Sequence, residues 1–139
     1  MSNPVISYIA GGSNLGNRIE NLRNGIVKTC ELEGTTFKNV SSVYETKPFG
    51  PVEQPDFLNL VFEVETFLPP ENLLEYLKEI ELNCGRVSTV KWGARVLDLD
   101  ILFFGDLIFE SEKLTIPHKG ILERDFFQIH LLELNNDKK

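Results

Sequence analysis

No apolar run in these 139 residues approaches the ~20 needed to cross a bilayer. The opening stretch "MSNPVISYIAGG" has no basic flank leading into an apolar core, so nothing there reads as an export signal. Cysteine is scarce: Cys30 and Cys84 are the two present, neither stands at metal-ligand spacing, and two buried free thiols in a reducing compartment are expected. Cations are outnumbered, 14 Lys and Arg against 21 Asp and Glu, for a formal charge of −7. That balance excludes a general affinity for nucleic acid or an anionic membrane, though a few local cations can still hold phosphates. There is no repeat, linker, Ser-His-Asp order or zinc-type cluster, and only the tail "NNDKK" looks disordered. What remains is one domain spanning 1–139, expected to be cytoplasmic and monomeric.

Hydrophobic period and turn residues supply the elements. "VISYIA" (5–10) reads as a strand and "GGSNLGN" (11–17) as a turn-rich loop. That loop lacks the Lys-Ser/Thr of a P-loop and the spacing of a dinucleotide fingerprint, which favours a structural turn. Residues 18–33 carry Ile19, Leu22, Ile26 and Cys30 at helical spacing. A second strand covers 36–46, and "KPFGPVEQPD" (47–56), with three prolines and a glycine, is an ordered loop. "FLNLVFEVET" (57–66) alternates as a third strand, and Pro69-Pro70 opens a helix that Gly85 ends. "VLDLDILFF" is the fourth strand, with "GD" as a hairpin turn into "LIFESEKLTI"; a turn and a helical segment close the chain. The order strand, helix, strand, strand, helix, strand is the α+β, ferredoxin-like β-α-β-β-α-β plan. It predicts an antiparallel sheet with helices mainly on one face, a free second face, and an added C-terminal hairpin and helix.

The chemistry concentrates on that second face. Asp98 and Asp100 stand two apart in a strand, so they share a face about 7 Å apart, while Leu97, Leu99, Ile101 and Phe103 share the other. Like charges that close repel unless a cation bridges them, and Mg²⁺ suits one or two carboxylates plus phosphate oxygens. The bland alternative is two solvated aspartates on an exposed strand. In the third strand Phe57 and Asn59 point away from Leu58, Leu60, Phe62 and Val64, and an aromatic beside an amide suits a flat heterocycle. Arg86, Lys91 and Arg95 lie in the loop leading to Asp98, with Trp92 beside Gly93, either a core anchor or part of a lid. Lys113, His118, Lys119 and Arg124 form a second basic group. Glu81 falls on the apolar side of its helix, where it either holds a loop cation or snorkels out past the helix end.

Taken together, "YIAGGSNLGNR", "YETKPFGPVEQPDFLN", "GRVSTVKWGARVLDLDILFFGD" and "LTIPHKGILERDFF" resemble the signature blocks of the 6-hydroxymethyl-7,8-dihydropterin pyrophosphokinase family of folate biosynthesis. The resemblance implies transfer of pyrophosphate from ATP to the pterin hydroxymethyl group, releasing AMP, on the same ferredoxin-like fold. It implies two Mg²⁺ ions on Asp98 and Asp100, and a pterin ring between Phe57 and Phe126 with its edge on Asn59. Backbone groups of Thr46, Lys47 and Phe49 are implied beside that edge, and Trp92 in a loop closing over both ligands. Arg86 and Arg95 are implied on the transferring phosphates. Glu81, Lys91, Trp92, Lys113, Thr115, His118, Lys119 and Arg124 are implied around ATP, Lys119 standing where an aromatic is expected. The segment after Arg86 is one residue shorter than the family pattern, and Lys47 replaces a common proline. Two other classes fit the topology alone: a non-catalytic regulatory module binding a small ligand, and an RNA-binding sheet. The first has no reason to keep Asp98, Asp100, Arg95 and His118 together, and the second conflicts with the acidic balance.

Overall fold

The computed structural model of the chain describes residues 3–48, 50–51, 53–85, 94–121 and 125–136, with the backbone alone for 125, 126 and 136. Five strands build the main sheet: β1 (Val5–Ser13), β2 (Thr35–Val40), β3 (Tyr44–Thr46), β4 (Phe57–Thr66) and β5 (Asp98–Phe104). Helices α1 (Arg18–Cys30) and α2 (Pro70–Asn83) connect them, and β6 (Phe109–Glu110), β7 (Thr115–Ile116), a short 3-10 turn (Lys119–Ile121) and α3 (Asp125–Asn136) follow. The order across the sheet is β2-β4-β1-β5, all antiparallel, with β3 also paired to β4. This is the expected ferredoxin-like arrangement.

Local chemistry explains the boundaries. Asn17 caps α1 through its side chain, which accepts from the Glu20 amide at 3.2 Å. Pro69 and Pro70 open α2, where a missing N–H costs nothing, and Gly85 ends it at φ 97. α1 and α2 cover one face, packing Leu22, Leu73 and Leu77 on Ile9, Leu60, Phe62, Leu99 and Ile101.

Six expectations need correction. The strand predicted over 5–10 runs on to Ser13: Gly11, Gly12 and Ser13, expected in the loop, pair with Leu60, Asn59 and Leu58 of β4. The strand predicted over 36–46 is broken. Between β2 and β3 the Ser41 amide donates to Val61 O and the Ser41 hydroxyl accepts from the Val61 amide, both at 2.9 Å, so a side chain stands in for a ladder carbonyl and the chain bends. The segment after β5 does not fold back on it. Gly105 N–H turns to Ile6 O at 2.8 Å, and residues 109–116 close on themselves as the separate β6-β7 ribbon. Ile19 is 54% exposed, because the buried stripe of α1 is Leu22, Gly25 and Thr29. Gly25 brings the helix so close that a Cβ there would lie 3.0 Å from Leu97 Cδ2. Phe103 leaves the Leu99–Ile101 face. A bulge at Leu102, between the pairs Ile9–Ile101 and Tyr8–Phe103, reverses the alternation, and Phe104 takes the inward place. Finally, the second face is not wholly free: α3 lies on part of it, burying Phe127 and Leu134 against Ala10, Val61 and Leu102.

Candidate active site

The register of three strands assembles the site. Gly12 of β1 pairs with Asn59 of β4 on one side and Asp98 of β5 on the other. One row along, Ala10 pairs with Val61 and with Asp100. Strands lie about 4.8 Å apart, so Asn59 and Asp98 face one another across β1 at roughly 10 Å. The row Asn59–Gly12–Asp98 lies outside the apolar cluster under α3, and Phe57, Asp98 and Asp100 are each partly exposed.

Asn59 is 6% exposed and held by its neighbour strand, its Nδ2 donating to the Thr46 hydroxyl at 2.6 Å. Its Oδ1 looks over Gly12: a Cβ on that glycine would stand 3.4 Å from the oxygen and 3.5 Å from Phe57 Cδ1. The site therefore offers an aromatic ring beside a fixed acceptor. The Thr46 hydroxyl thus sets the orientation of the Asn59 carboxamide. Lys47 is exposed just past β3.

On the other side of Gly12, Asp98 and Asp100 share the face, and Arg95 Nε stands 4.0 Å from Asp98 Oδ1. Two carboxylates of one face, with a guanidinium at their edge and no bulky neighbour on β1, fit a hard divalent cation completed by ligand oxygens. No cluster of three or more His, Cys, Asp or Glu with metal-holding geometry occurs among the described residues, so such an ion would draw part of its shell from a ligand and water.

Glu81 does not snorkel outward. It is 2% exposed, its Oε2 accepts the Leu99 amide of β5 at 2.7 Å, and its Oε1 is 3.5 Å from Lys78 Nζ. Leu99 lies between the two aspartates, so Glu81 grips the open edge of the strand that carries them. Beyond Asp100, the His118 amide donates to Leu102 O at 3.0 Å and fixes the segment after β7 to the same strand. His118 Nδ1 accepts from the Gly120 amide at 2.8 Å, which puts the proton of the neutral ring on Nε2, and the ring meets Phe127 edge-on at 5.9 Å. Thr115 is half-buried in β7, while Lys113 and Lys119 are exposed. Phe126 lies in the first turn of α3. Phe49, Arg86, Lys91, Trp92 and Arg124 fall outside the described residues.

Sequence reasoning misses Asn14, which stands in the segment 11–17 expected to be a plain turn. It is 1% exposed and ties two distant segments together. Its Oδ1 accepts the Arg95 amide at 2.7 Å and its own amide donates to Arg95 O at 3.0 Å. Its Nδ2 donates to Gln54 Oε1 at 2.8 Å and to Pro55 O at 2.9 Å. One carboxamide thus joins the approach to Phe57 with the approach to Asp98. The only local signal is that Asn favours side-chain bonds to nearby backbone, and these partners are 40 to 81 residues away.

The model of the 7,8-dihydro-6-hydroxymethylpterin-pyrophosphokinase family matches residues 8–136. A relative from Haemophilus influenzae, named 2-amino-4-hydroxy-6-hydroxymethyldihydropteridine pyrophosphokinase, is 43% identical over 133 residues, 96% of this chain and 83% of that one. The protein of the same name from Bacillus subtilis is 43% identical over 129 residues, 93% of this chain and 77% of its own length. Among solved structures, a Plasmodium falciparum HPPK-DHPS with pterin and p-hydroxybenzoate superposes with a TM-score of 0.67 at 18% identity, over 95% of this chain and 40% of that one. That likeness speaks for the fold.

Proposed function

Since the chain belongs to the 7,8-dihydro-6-hydroxymethylpterin-pyrophosphokinase family, we propose that it transfers pyrophosphate from ATP to the hydroxymethyl group of 6-hydroxymethyl-7,8-dihydropterin, releasing AMP, in folate synthesis. The hydroxyl oxygen attacks the β-phosphorus, the bond from that phosphorus to the α-phosphate oxygen breaks, and AMP leaves with the electron pair. A transfer of this kind needs alignment and charge neutralisation more than a protein nucleophile.

The residues divide the work by strand. Phe57 stacks on the bicyclic ring, with Phe126 opposite, and Asn59 Oδ1 accepts from a ring N–H. Thr46, Lys47 and Phe49 bring backbone groups to the ring edge. Asp98 and Asp100 would hold Mg²⁺, two ions in this reading, and the metal would offset phosphate charge and acidify the hydroxyl. Arg95, beside Asp98, steadies the phosphates as their charge moves, joined by Arg86. His118 Nε2–H, Lys91, Lys113, Thr115, Lys119 and Arg124 supply the nucleotide side, and Trp92 covers the ligands. Glu81 acts on the nucleotide through the strand it holds. As the new P–O bond forms the hydroxyl proton leaves to water, or to an Asp98 or Asp100 oxygen that the ion does not engage. The chain works as one domain and a monomer in the cytoplasm. No described helix is long and apolar enough to cross a membrane, and Cys30 and Cys84 are free, partly buried thiols.

The observation that supports this most is the cross-strand row: an aromatic and a fixed amide on β4, a bare β1, and paired carboxylates on β5. A regulatory ligand-binding module has no use for that combination. Incubation with ATP, Mg²⁺ and the hydroxymethyl-dihydropterin should give AMP and pterin diphosphate in equal amounts. ADP in place of AMP, or no nucleotide product, overturns the reading.

A further inference from the structure

Gly11 and Gly12 are adjacent, both buried, and neither has a positive φ, so neither is there for backbone freedom. A side chain at one would point to the opposite face from a side chain at the other. A Cβ on Gly11 would meet Leu22 Cδ2 at 3.3 Å and Leu60 Cδ1 at 3.4 Å, inside the helix-side core. A Cβ on Gly12 would meet Asn59 Oδ1 at 3.4 Å and Phe57 Cδ1 at 3.5 Å, ordinary contact distances. The fold itself therefore has room for a methyl group at 12.

The reason to keep glycine there lies in the register. Gly12 is the residue of β1 that separates Asn59 from Asp98. A substrate whose ring is read by Phe57 and Asn59, and whose reacting arm reaches the Asp98–Asp100 pair, has to cross β1 at this residue. We infer that Gly12 is a specificity-determining residue: its missing side chain is the floor over which the substrate's hydroxymethyl arm passes from the ring site to the aspartates. The inference rests on the functional reading above and adds the path of the substrate to it. A methyl group at 12 would lift the ring from Phe57 and shorten the reach to the carboxylates, while leaving the nucleotide side alone.

The test compares Gly12→Ala with Gly11→Ala. Expected for Gly12→Ala are a melting temperature close to wild type and unchanged affinity for a non-hydrolysable ATP analogue. Pterin affinity, followed by the pterin's own fluorescence, should weaken at least about tenfold, the scale of one misplaced methylene in a fitted pocket. Gly11→Ala should do the reverse, lowering the melting temperature and leaving pterin affinity as it was. A folded Gly12→Ala with wild-type kcat/KM for the pterin overturns the inference. So does a melting temperature that falls further than in Gly11→Ala, because the position would then serve packing. Failure of the wild-type protein to release AMP would instead strike the functional reading, so the two failures are separable.

Discussion

Replacing Asn14 with Ala tests whether one buried carboxamide holds both walls of the site. The change removes three hydrogen bonds: from the Arg95 amide at 2.7 Å, to Gln54 Oε1 at 2.8 Å and to Pro55 O at 2.9 Å. The bond from the Asn14 amide to Arg95 O survives, since it is backbone to backbone. At about 1 kcal/mol for each lost bond, the cost is about 3 kcal/mol, rising where a buried partner is left without a substitute. For a domain of this size that is a fall in melting temperature of about 10 °C. Activity should fall further than stability explains, by about 10–100-fold in kcat at a temperature where the variant is folded, because Phe57 and Arg95 are no longer positioned together. Asn14→Asp sharpens the test. It keeps the acceptor for the Arg95 amide but turns an oxygen toward Gln54 Oε1 and Pro55 O, so it should be no more stable than the alanine variant at neutral pH. Thermal unfolding by circular dichroism and AMP release measure both effects. A loss below about 1 kcal/mol with unchanged kcat would refute the bridging role.

Asp98→Ala or Asp100→Ala should abolish AMP release and remove Mg²⁺-dependent ATP binding in calorimetry; wild-type rates in Mg²⁺ would contradict their assignment. Glu81→Gln keeps an acceptor for the Leu99 amide and should cost under about 1 kcal/mol in urea unfolding, whereas Glu81→Leu strands that amide and should cost about 2–3 kcal/mol. Equal losses in the two would dissolve the edge-grip argument. His130 is fully buried against Tyr44, and desolvation lowers its pKa from 6.5 to about 4, against a small opposing pull from Glu133. The folded state therefore favours the neutral ring, so its stabilisation is present above pH 6.5 and fades as pH falls toward 4, by at most about 3 kcal/mol. Glu133, held charged mainly by the Ser42 hydroxyl and amide, loses its contribution in the same direction. His130→Phe should flatten the decline between those pH values, and an unchanged slope would count against it.

The parts of the fold legible in the sequence are those that depend on short-range period. β4 alternates without a break, so Phe57 and Asn59 on one face and Leu60, Phe62 and Val64 on the other follow from spacing alone. The shared face of Asp98 and Asp100 follows the same way. Reading failed where a distant partner set the local geometry. The bulge at Leu102 arises from pairing with β1, and it alone moves Phe103 to the other face, against Tyr8. Ile19 fits the helical period, but the approach of α1 to Leu97 at Gly25 sets which stripe goes inward. The covering by α3 depends on docking that no segment announces: Glu133 accepts from the Ser42 amide at 2.9 Å and its hydroxyl at 2.6 Å, across 91 residues. Asn14 belongs to the same class.

The magnitudes also explain why a strand tolerates two acids. Aspartate is a poor strand former, at a cost of up to about 1 kcal/mol each on a scale of that span. Two charges about 7 Å apart repel by about 0.6 kcal/mol in bulk water and about 2.4 kcal/mol at an effective dielectric of 20. Against this, Leu97, Leu99 and Ile101 are 0%, 1% and 2% exposed. Burying three such side chains contributes about 5–9 kcal/mol. The inward residues therefore decide that the segment is a strand, and the outward pair is carried along. Position sets the rest. β5 is an edge among the described strands, and two of its outer groups are taken by the Glu81 carboxylate at Leu99 and the His118 amide at Leu102. An edge held this way keeps two carboxylates in register beside a bare β1 without a further strand to bury their charge, and that combination leaves them open to a cation and a phosphate chain.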